Sequence, residues 1–421
     1  MELTFYPFYI LLGIVLGILT GLTPGLHFNN IAVIIFSLHF STKDPLGASI
    51  LIISMVITHT FVDFIPSTFL GAPEEDTSLS ILPMHRMLMS GEGYKAVYLS
   101  TWGSLLAYLF SLPLIPIFFF FFALLNGEKY LYFYLPIILF ALILHLLYLE
   151  SKKSLRNMIY ALIVFFLAGI FGIIALNMPM NHNIVPIKLQ GSNTLFPIFT
   201  GLFGLPVLFI SKDSKIPPQK LSRDCPGVNF YMSSFIGSVC GALVGFLPGV
   251  TSGIAAVLSR SLQRGDERNY IVSLGSVNTA NYIFNLLSLY LLLKPRSLAI
   301  DIVGNLLNWQ KWNLFLLPPS EFILLLLTVG LSSLISFFVT LKIARVFALK
   351  FGRLGERYAK INLIIFISLL GIIFLLTGII GLMLASIAML IGLLPSKLGT
   401  MRVHLMGVLI LPLMLSFFRG I

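Results

Sequence analysis

The sequence predicts an all-α integral membrane protein made of two inverted-topology repeats, and three observations support this prediction. Hydrophobic residues make up 57% of the 421-residue chain and charged residues 10%, whereas soluble domains carry roughly 25% charged residues. The motif Gly13-x-x-x-Gly17-x-x-x-Gly21-x-x-Pro24-Gly25 recurs 224 positions later with all five marked residues. Lys and Arg, finally, are concentrated in one set of connecting segments, which allows each span to be given a direction.

The second copy of the motif is Gly237-x-x-x-Gly241-x-x-x-Gly245-x-x-Pro248-Gly249. Glycines at every fourth position let two helices approach closely, and the following Pro-Gly stops the helix. Broken apolar helices at matching places in two halves are the best sequence pointer to the binding site of a transporter. The duplication divides the chain into a first membrane repeat, 1–227, and a second, 228–421.

Apolar stretches of roughly 17–25 residues predict ten transmembrane helices, near 47–70, 97–122, 130–149, 157–176, 192–210, 270–293, 318–341, 361–378, 380–396 and 402–418. Residues 8–40 and 230–261 differ, because Pro-Gly divides each into two arms of about 15 residues, whereas a bilayer needs ~20. We therefore expect two Pro-Gly-broken re-entrant hairpins. Short or tilted full crossings are the alternative, and they would also keep the number of spans between the two breaks odd.

The distribution of basic residues assigns the two sides of the membrane. Twenty of the 27 Lys and Arg fall in six segments: 71–96, 150–156, 211–227, 259–270, 341–360 and 395–402. The positive-inside rule places these segments in the cytoplasm and both chain ends outside. Five spans then separate the two hairpins, so the hairpins open to opposite sides. The expected location is the cell membrane, crossed several times.

Several function classes are disfavoured. The formal net charge of +11 indicates loops lying against anionic lipid rather than nucleic-acid binding. Two cysteines, Cys225 and Cys240, predict neither a disulfide framework nor a metal site. No nucleotide-binding Gly-x-x-x-x-Gly-Lys-Ser/Thr motif is present, so ATP hydrolysis is not expected. No cofactor is predicted, apart from a coupling proton or sodium ion.

The two hairpin tips are the first candidate substrate site. A helix that restarts after Pro-Gly presents free backbone N–H groups and a positive dipole end, which suit a carboxylate or a phosphate. The residues assigned to this site are Pro24, Gly25, His27, Asn29, Asn30, Pro248, Gly249, Thr251 and Ser252. In the alternative interpretation, the Pro-Gly pairs are tight helix connections whose glycines only pack helices.

Polar side chains within two apolar spans form the second candidate set: Thr58, His59, Thr60 and Asp63, matched by Asn278, Thr279, Asn281 and Asn285. Such groups are costly in a bilayer and face either a cavity or each other. Asp63 is the candidate carrier of a coupling proton or sodium ion, and His59 lies on the same helix face. Arg86 and Arg260 are positioned either to attract an anion or to anchor lipid.

Several of these features occur together in one family. The paired Gly-x-x-Pro-Gly hairpins, the loop Gly71–Ser80 running to His85 and Arg86, and Gly275-Ser-Val-Asn-Thr-Ala-Asn281 resemble the large membrane subunit of the tripartite tricarboxylate transporter family. The resemblance covers most of the chain. It implies secondary transport of organic anions, in bacteria together with a solute-binding protein and a small membrane subunit. The chain is shorter than expected of that subunit and its first tip is less Gly-rich, which indicates a divergent branch able to work alone.

The predicted function is therefore gradient-driven transport of a carboxylate-like organic anion, with binding at the hairpin tips. The repeats also resemble the broader set of membrane carriers that includes polyprenyl-phosphate transporters, so a carrier for an anionic lipid is the alternative. An intramembrane lipid-modifying enzyme ranks third, with His59 and Asp63 as its nearest acid–histidine set. The chain is not expected to be an enzyme.

Overall fold

A computed structural model describes residues 6–24, 26–39, 44–72, 77, 79, 81–124, 127–178, 194–210, 216–246, 252–263, 266–293, 295, 297–312 and 317–419. Each secondary-structure element within these ranges is helical. In chain order the helices are α1 (Tyr6–Leu22), α2 (Phe28–His39), α3 (Pro45–Val62), α4 (Phe64–Phe69), α5 (Ile81–Met89), α6 (Gly93–Leu124), α7 (Gly127–Ser151), α8 (Leu155–Leu176), α9 (Leu195–Phe199), α10 (Leu205–Ile210), α11 (Phe230–Gly245), α12 (Ser252–Leu262), α13 (Glu267–Leu292), α14 (Leu298–Leu307), α15 (Ser320–Gly352), α16 (Tyr358–Leu398) and α17 (Gly407–Arg419).

Polar side chains specify where several helices begin. Asp44 accepts a hydrogen bond from the Gly47 N–H at 2.9 Å before α3, and Asn229 accepts one from the Met232 N–H at 3.0 Å before α11. Asp266 accepts bonds from two N–H groups at the start of α13. These side chains satisfy donors that the first helical turn leaves free.

Six helical segments of the described chain are long and apolar enough to cross a membrane: Pro45–Phe69, Gly93–Phe122, Phe133–Ser151, Leu155–Leu176, Ser320–Gly352 and Tyr358–Leu398. This differs from the ten predicted spans for three reasons. The span predicted at 270–293 is the 26-residue helix α13, which is rich in Ser and Asn. Those predicted at 192–210 and 402–418 are shorter apolar segments. The pair predicted at 361–378 and 380–396 corresponds to the 41 residues of α16, which are counted once although Gly378 interrupts the helix.

Helix α16 is interrupted close to the predicted boundary between two spans. Gly378 has φ 65° and ψ −159°, a backbone conformation that essentially only glycine adopts. Leu369, Ile373 and Ala385 share one hydrophobic cluster with Leu205, although a straight helix would separate Leu369 from Ala385 by about 24 Å. The chain therefore turns back at Gly378.

Helices α3 and α13 form the centre of the molecule. The most apolar 18-residue part of α3–α4 is completely buried, and from Asn269 to Leu291 every residue of α13 is buried. The surrounding helices expose large apolar residues instead, such as Phe133 on α7 and Leu390 on α16. Polar residues on α3 and α13 are thus shielded from lipid by protein, as a membrane interior requires.

The repeated glycines pack in the same way in both copies. Those of α1 lie against α3, and those of α11 lie against α13. A Cβ atom on Gly17 would lie 2.6 Å from the carbonyl oxygen of Met55, and one on Gly241 would lie 2.6 Å from that of Val277. Only glycine allows this approach, because a Cβ would occupy the space of the neighbouring backbone.

The next long helix of each half packs against the central helix of the other half. Ser332 and Ser336 on α15 donate hydrogen bonds of 2.9 Å to Ser54 and Thr58 on α3. Ser104 on α6 donates one of 3.1 Å to the Gly275 carbonyl on α13, and Ser276 donates one of 2.8 Å to the Gly103 carbonyl. The two halves therefore exchange partners around the centre.

The segment α3–α4 and the helix α13 run in opposite directions. Phe69, at the end of α4, lies 3.2 Å from where a Cβ on Gly93 would stand, at the start of α6. Glu92, just before α6, pairs at 3.4 Å with Arg268, in the first turn of α13. One end of the molecule thus contains both the end of α4 and the beginning of α13.

The six basic segments meet at that same end. Segment 71–96 contacts three others through the pairs Arg86–Glu267, Lys220–Gly91 and Tyr358–His85. Segments 150–156 and 395–402 are joined by a 2.6 Å hydrogen bond from the Met401 N–H to Glu150, and Arg402 lines the same cavity as Arg86. These contacts agree with the prediction that the segments share one side of the membrane.

Candidate substrate site at the crossing of α3 and α13

Polar side chains join α3 and α13 where the two helices cross. Asn278 donates a hydrogen bond of 3.0 Å from its side-chain nitrogen to Oδ2 of Asp63. The hydroxyl oxygens of Thr60 and Thr279 are 3.2 Å apart. All four residues are at most 2% exposed. The crossing therefore places a buried carboxyl group beside amide and hydroxyl groups, at the junction of α3 and α4.

Two consecutive residues of α13 contact the helices that restart after the two breaks, α12 and α2. Asn281 donates a hydrogen bond of 2.8 Å to the hydroxyl of Ser252, the first residue of α12. The ring of Tyr282 meets that of Phe28, the first residue of α2, with centroids 5.3 Å apart. Both restarting helices therefore begin against the same turn of α13.

The first helix is interrupted at the predicted position, around Pro24. Helix α1 ends at Leu22, Pro24 lies in a turn, and α2 begins at Phe28. The Leu26 N–H donates to the Thr23 carbonyl at 3.1 Å, which closes the turn. His27 accepts a hydrogen bond at 3.2 Å from the Asn29 N–H through Nδ1, so His27 caps α2.

His59 links the first hairpin to the crossing. Its Nδ1 lies 3.0 Å from the Thr20 hydroxyl on α1. Its ring is 4.9 Å from that of Phe28 and 5.5 Å from that of His27, measured between centroids. The predicted residues His27, His59 and Asp63 thus belong to one region, with His59 one helical turn before Asp63.

Two predicted residues point to neighbouring helices instead of the crossing. Asn29 accepts a 3.0 Å hydrogen bond from the Ala299 N–H through its side-chain oxygen, at the start of α14. Thr58 accepts the bond from Ser336 on α15. Each contact holds two helices together, which is the packing role that polar groups commonly have in membranes.

Five predicted positions lie wholly or partly outside the described residues: Gly25, Pro248, Gly249 and Thr251, together with the side chain of Asn30. The helix bounds nevertheless bracket the second tip, because α11 ends at Gly245 and α12 begins at Ser252.

Phe28, Tyr282 and Thr20 complete the region, although sequence reasoning did not single them out. Phe28 and Tyr282 lie beside predicted polar residues, but an aromatic side chain within an apolar span carries no functional signal by itself. Thr20 directly precedes Gly21 in the repeated motif, and this position was the available signal. Within the described part of the chain, no group of three His, Cys, Asp or Glu is placed to hold a metal ion.

Comparison with known proteins identifies the family. A model described as the tripartite tricarboxylate transporter TctA family matches residues 8–407. The chain belongs to that family. It is also 34% identical over 429 residues to an uncharacterized protein of Methanocaldococcus jannaschii, covering 98% of this chain and 99% of the relative. No solved structure matches the chain. The TctA family is a family of membrane transporters, and the predicted resemblance is confirmed.

Proposed function

We propose that this chain is a secondary transporter of a small organic anion with carboxylate groups, and that the anion binds between the hairpin tips at the crossing of α3 and α13. The observation that carries the proposal is the contact of Asn281 with Ser252 beside that of Tyr282 with Phe28. Family membership supports the substrate class, since the family description names tricarboxylates.

The chemistry of this region suits a carboxylate. Helices α2 and α12 begin there, and the first turns of helices supply backbone N–H donors and a positive dipole end. Asn278, Thr279 and Asn281 lie within four residues on α13 and add amide and hydroxyl groups. The surrounding protein excludes lipid from these groups, so hydrogen bonds to an anion are strong there.

Asp63 is the proposed coupling residue. A buried carboxyl group can take up a proton or, as a carboxylate, bind a sodium ion. Either event removes the net negative charge at this position. Asn278 contacts Asp63 directly and also lies in the proposed anion site. Ion binding at Asp63 can therefore alter the anion site through a single hydrogen bond.

Two inverted-topology repeats, 1–227 and 228–421, would provide the alternating access that such a carrier needs. The matched packing of Gly17 and Gly241, the exchange of partners by α6 and α15, and the opposite directions of α3–α4 and α13 support this arrangement. We place the two breaks at the tips of re-entrant hairpins within the cell membrane.

The family description names a tripartite system, so a solute-binding protein and a small membrane subunit are the partners to test. We infer that this chain transports without them, because its first tip, around Pro24 and His27, is less Gly-rich than that of the usual large subunit. Uptake of the anion by the purified chain alone directly tests whether the two partners are needed.

Uptake of labelled citrate and related acids into proteoliposomes, under a proton or a sodium gradient, tests the proposed function. The variant Asn281→Leu should lose uptake, because it removes the amide that joins α13 to α12. Ser332→Ala is the matched control, since it removes an interhelical hydrogen bond of similar length away from the crossing. If no acid is taken up under either gradient while a prenyl phosphate binds, the lipid-carrier alternative replaces this proposal.

A further inference from the structure

A basic cavity lies at the end of the molecule where the six basic segments meet. Its volume is about 470 Å³. Four basic side chains and one acidic side chain line it: Arg86, Lys153, Arg260, Arg402 and Glu267. The sequence predicts Arg86 and Arg260 as candidates to attract an anion. It does not predict that Arg402 and Lys153 line the same cavity.

Arg402 is the most informative residue of this cavity. It is 7% exposed, and its guanidinium donates to the Phe203 carbonyl at 3.5 Å and to the Ser396 hydroxyl at 3.0 Å. Neither partner is a carboxylate, and Nε has no hydrogen-bond partner within the described part of the chain. A buried cation in this condition is costly unless an anion pairs with it.

The other cations differ in their need for a partner. Arg86 pairs with Glu267, and Lys153 with Glu150 at 2.9 Å. Arg260 instead stacks over the Tyr270 ring, 5.0 Å from its centroid, and forms no ion pair with a described carboxylate. Two guanidinium groups, those of Arg260 and Arg402, therefore remain to bind an added anion, and guanidinium groups bind carboxylate and phosphate well.

Glu150 holds the Arg402 segment in position. This fully buried carboxylate accepts a hydrogen bond from the Met401 N–H and forms an ion pair with Lys153, and its Oε1 lies 3.4 Å from Nε2 of His404. The backbone just before Arg402 is thus held against α7, and the His404 side chain lies beside the same carboxylate. The Thr400 side chain also lines the cavity, and its hydroxyl has no hydrogen-bond partner among the described residues.

We propose that this cavity is a second anion-binding site, which takes a multiply charged carboxylate or phosphate group between Arg260 and Arg402. The site is separate from the crossing, because Arg260 lies eight residues after Ser252, which is about 12 Å along α12. The anion has two possible sources with the same chemistry, a soluble acid or the headgroup of an anionic lipid. The inference does not depend on transport.

Titration calorimetry on the purified full chain tests the site. The soluble probes are citrate and inorganic phosphate, and the lipid probe is phosphatidic acid added to mixed micelles in place of phosphatidylcholine. Arg402→Gln and Arg260→Gln should each weaken binding about 10-fold or more, the effect of losing a charge-assisted hydrogen bond. Arg260→Gln keeps the test valid if Arg402→Gln does not fold, since Arg260 is only partly buried.

Arg268→Gln is the matched control, because Arg268 lies at the same end of the molecule, pairs with Glu92 and is outside the cavity. It should bind every probe as the unmodified chain does. Asn281→Leu separates this inference from the proposed function: it should lose uptake yet keep the binding that Arg260→Gln weakens. Binding that is equal in Arg260→Gln, Arg268→Gln and the unmodified chain, or no binding of any probe, would overturn the second site.

Discussion

Single residues at the crossing carry both predicted functions, anion binding and ion coupling. Asp63 and Asn278 come from different halves of the chain, yet their side chains are 3.0 Å apart. The sequence shows that two separate spans contain polar residues. It does not show that these residues contact each other, because the spacing of residues within one helix does not reveal which other helix packs against it. The candidate residues were therefore predictable, whereas their partners were not.

Replacing the Asp63 carboxyl group should separate binding from coupling. In Asp63→Asn the side-chain oxygen can still accept the hydrogen bond from Asn278, so citrate should bind with an affinity within about threefold of that of the unmodified chain. The side chain can no longer carry a proton or hold a sodium ion. Uphill accumulation in proteoliposomes should disappear, and the internal concentration should reach only the external one.

Asp44→Asn is the matched control for this measurement. Asp44 caps the same helix, α3, and an amide oxygen can replace its carboxylate as acceptor for the Gly47 N–H. This variant should accumulate citrate normally. Normal uphill accumulation by Asp63→Asn as well would remove Asp63 from the coupling mechanism.

His85 should make stability depend on pH. Burial, assisted by the positive charge of Arg402, lowers the pKa of His85 to about 4, against a partial opposing effect of the Thr68 carbonyl. The unfolded chain, with a histidine pKa of about 6.5, therefore binds the proton more tightly, and acidification from pH 6.5 toward 4 favours unfolding. At pH 5 this effect lowers the free energy of unfolding by about 2 kcal/mol.

Melting temperatures of the detergent-solubilised chain between pH 7 and 5 check this prediction. His85→Gln cannot be protonated, so its melting temperature should fall less over that interval. An equal fall in the variant and the unmodified chain would show that other groups cause the acid sensitivity.

At the scale of helices, the glycine motif acts through close packing. In Gly17→Val and Gly241→Val the new Cβ would lie 2.6 Å from a backbone oxygen of the central helix. The helices must move apart, which costs about 1–3 kcal/mol or more for each variant. We expect lower melting temperatures and less monodisperse protein in size-exclusion chromatography.

Gly371→Val is the control for these two variants, since a Cβ there would have no neighbour within 4 Å. It is also a helical glycine, in α16, and should leave the melting temperature nearly unchanged. Unaltered stability of Gly17→Val would mean that α1 and α3 do not pack as described.

The turn within α16 depends on the backbone conformation of Gly378. An alanine at this position would have to adopt φ 65° and ψ −159°, at a cost of about 1–3 kcal/mol. Gly378→Ala should therefore lower the melting temperature. Gly399→Ala is the control and should lower the melting temperature less, because φ 70° and ψ 21° lie in the left-handed helical region, which costs alanine less energy. The prediction fails if the two variants are equally stable.

At the scale of the whole molecule, the distribution of Lys and Arg predicted which connecting segments lie together better than hydropathy predicted the number of long apolar helices. The distribution of Lys and Arg grouped six distant segments, and contacts such as Arg86–Glu267 and Lys220–Gly91 join them at one end. Helix α13 was predicted as a span, but its Ser and Asn residues make it too polar to count among the six long apolar helices, and neighbouring helices bury those residues. Burial by neighbours is a tertiary property, and no window along the chain measures it.

The basic cavity is a site that the sequence alone did not predict, because it also depends on tertiary structure. Arg86, Arg260 and Arg402 come from three different connecting segments, and each looks like an ordinary lipid anchor by itself. Only the folding of all three segments to one end of the molecule reveals that their side chains share a cavity. The two matching helix breaks were predictable, by contrast, because a repeated motif is visible in the sequence itself.

The arrangement of the two repeats makes a final prediction about the hairpin tips. Phe28 and Ser252, which follow the two breaks, both lie against one turn of α13. Cysteines introduced as Gly25→Cys and Gly249→Cys, after Cys225 and Cys240 are replaced by Ser, should therefore be joined by a short bifunctional thiol reagent. The measurement is the mobility shift of the chain after cleavage by a protease between the halves. Pairing Gly25→Cys with Gly371→Cys, on a surface of α16 with no close neighbours, should give no cross-link. Cross-linking of the control alone would place the tips apart and remove the common site on which the proposed transport depends.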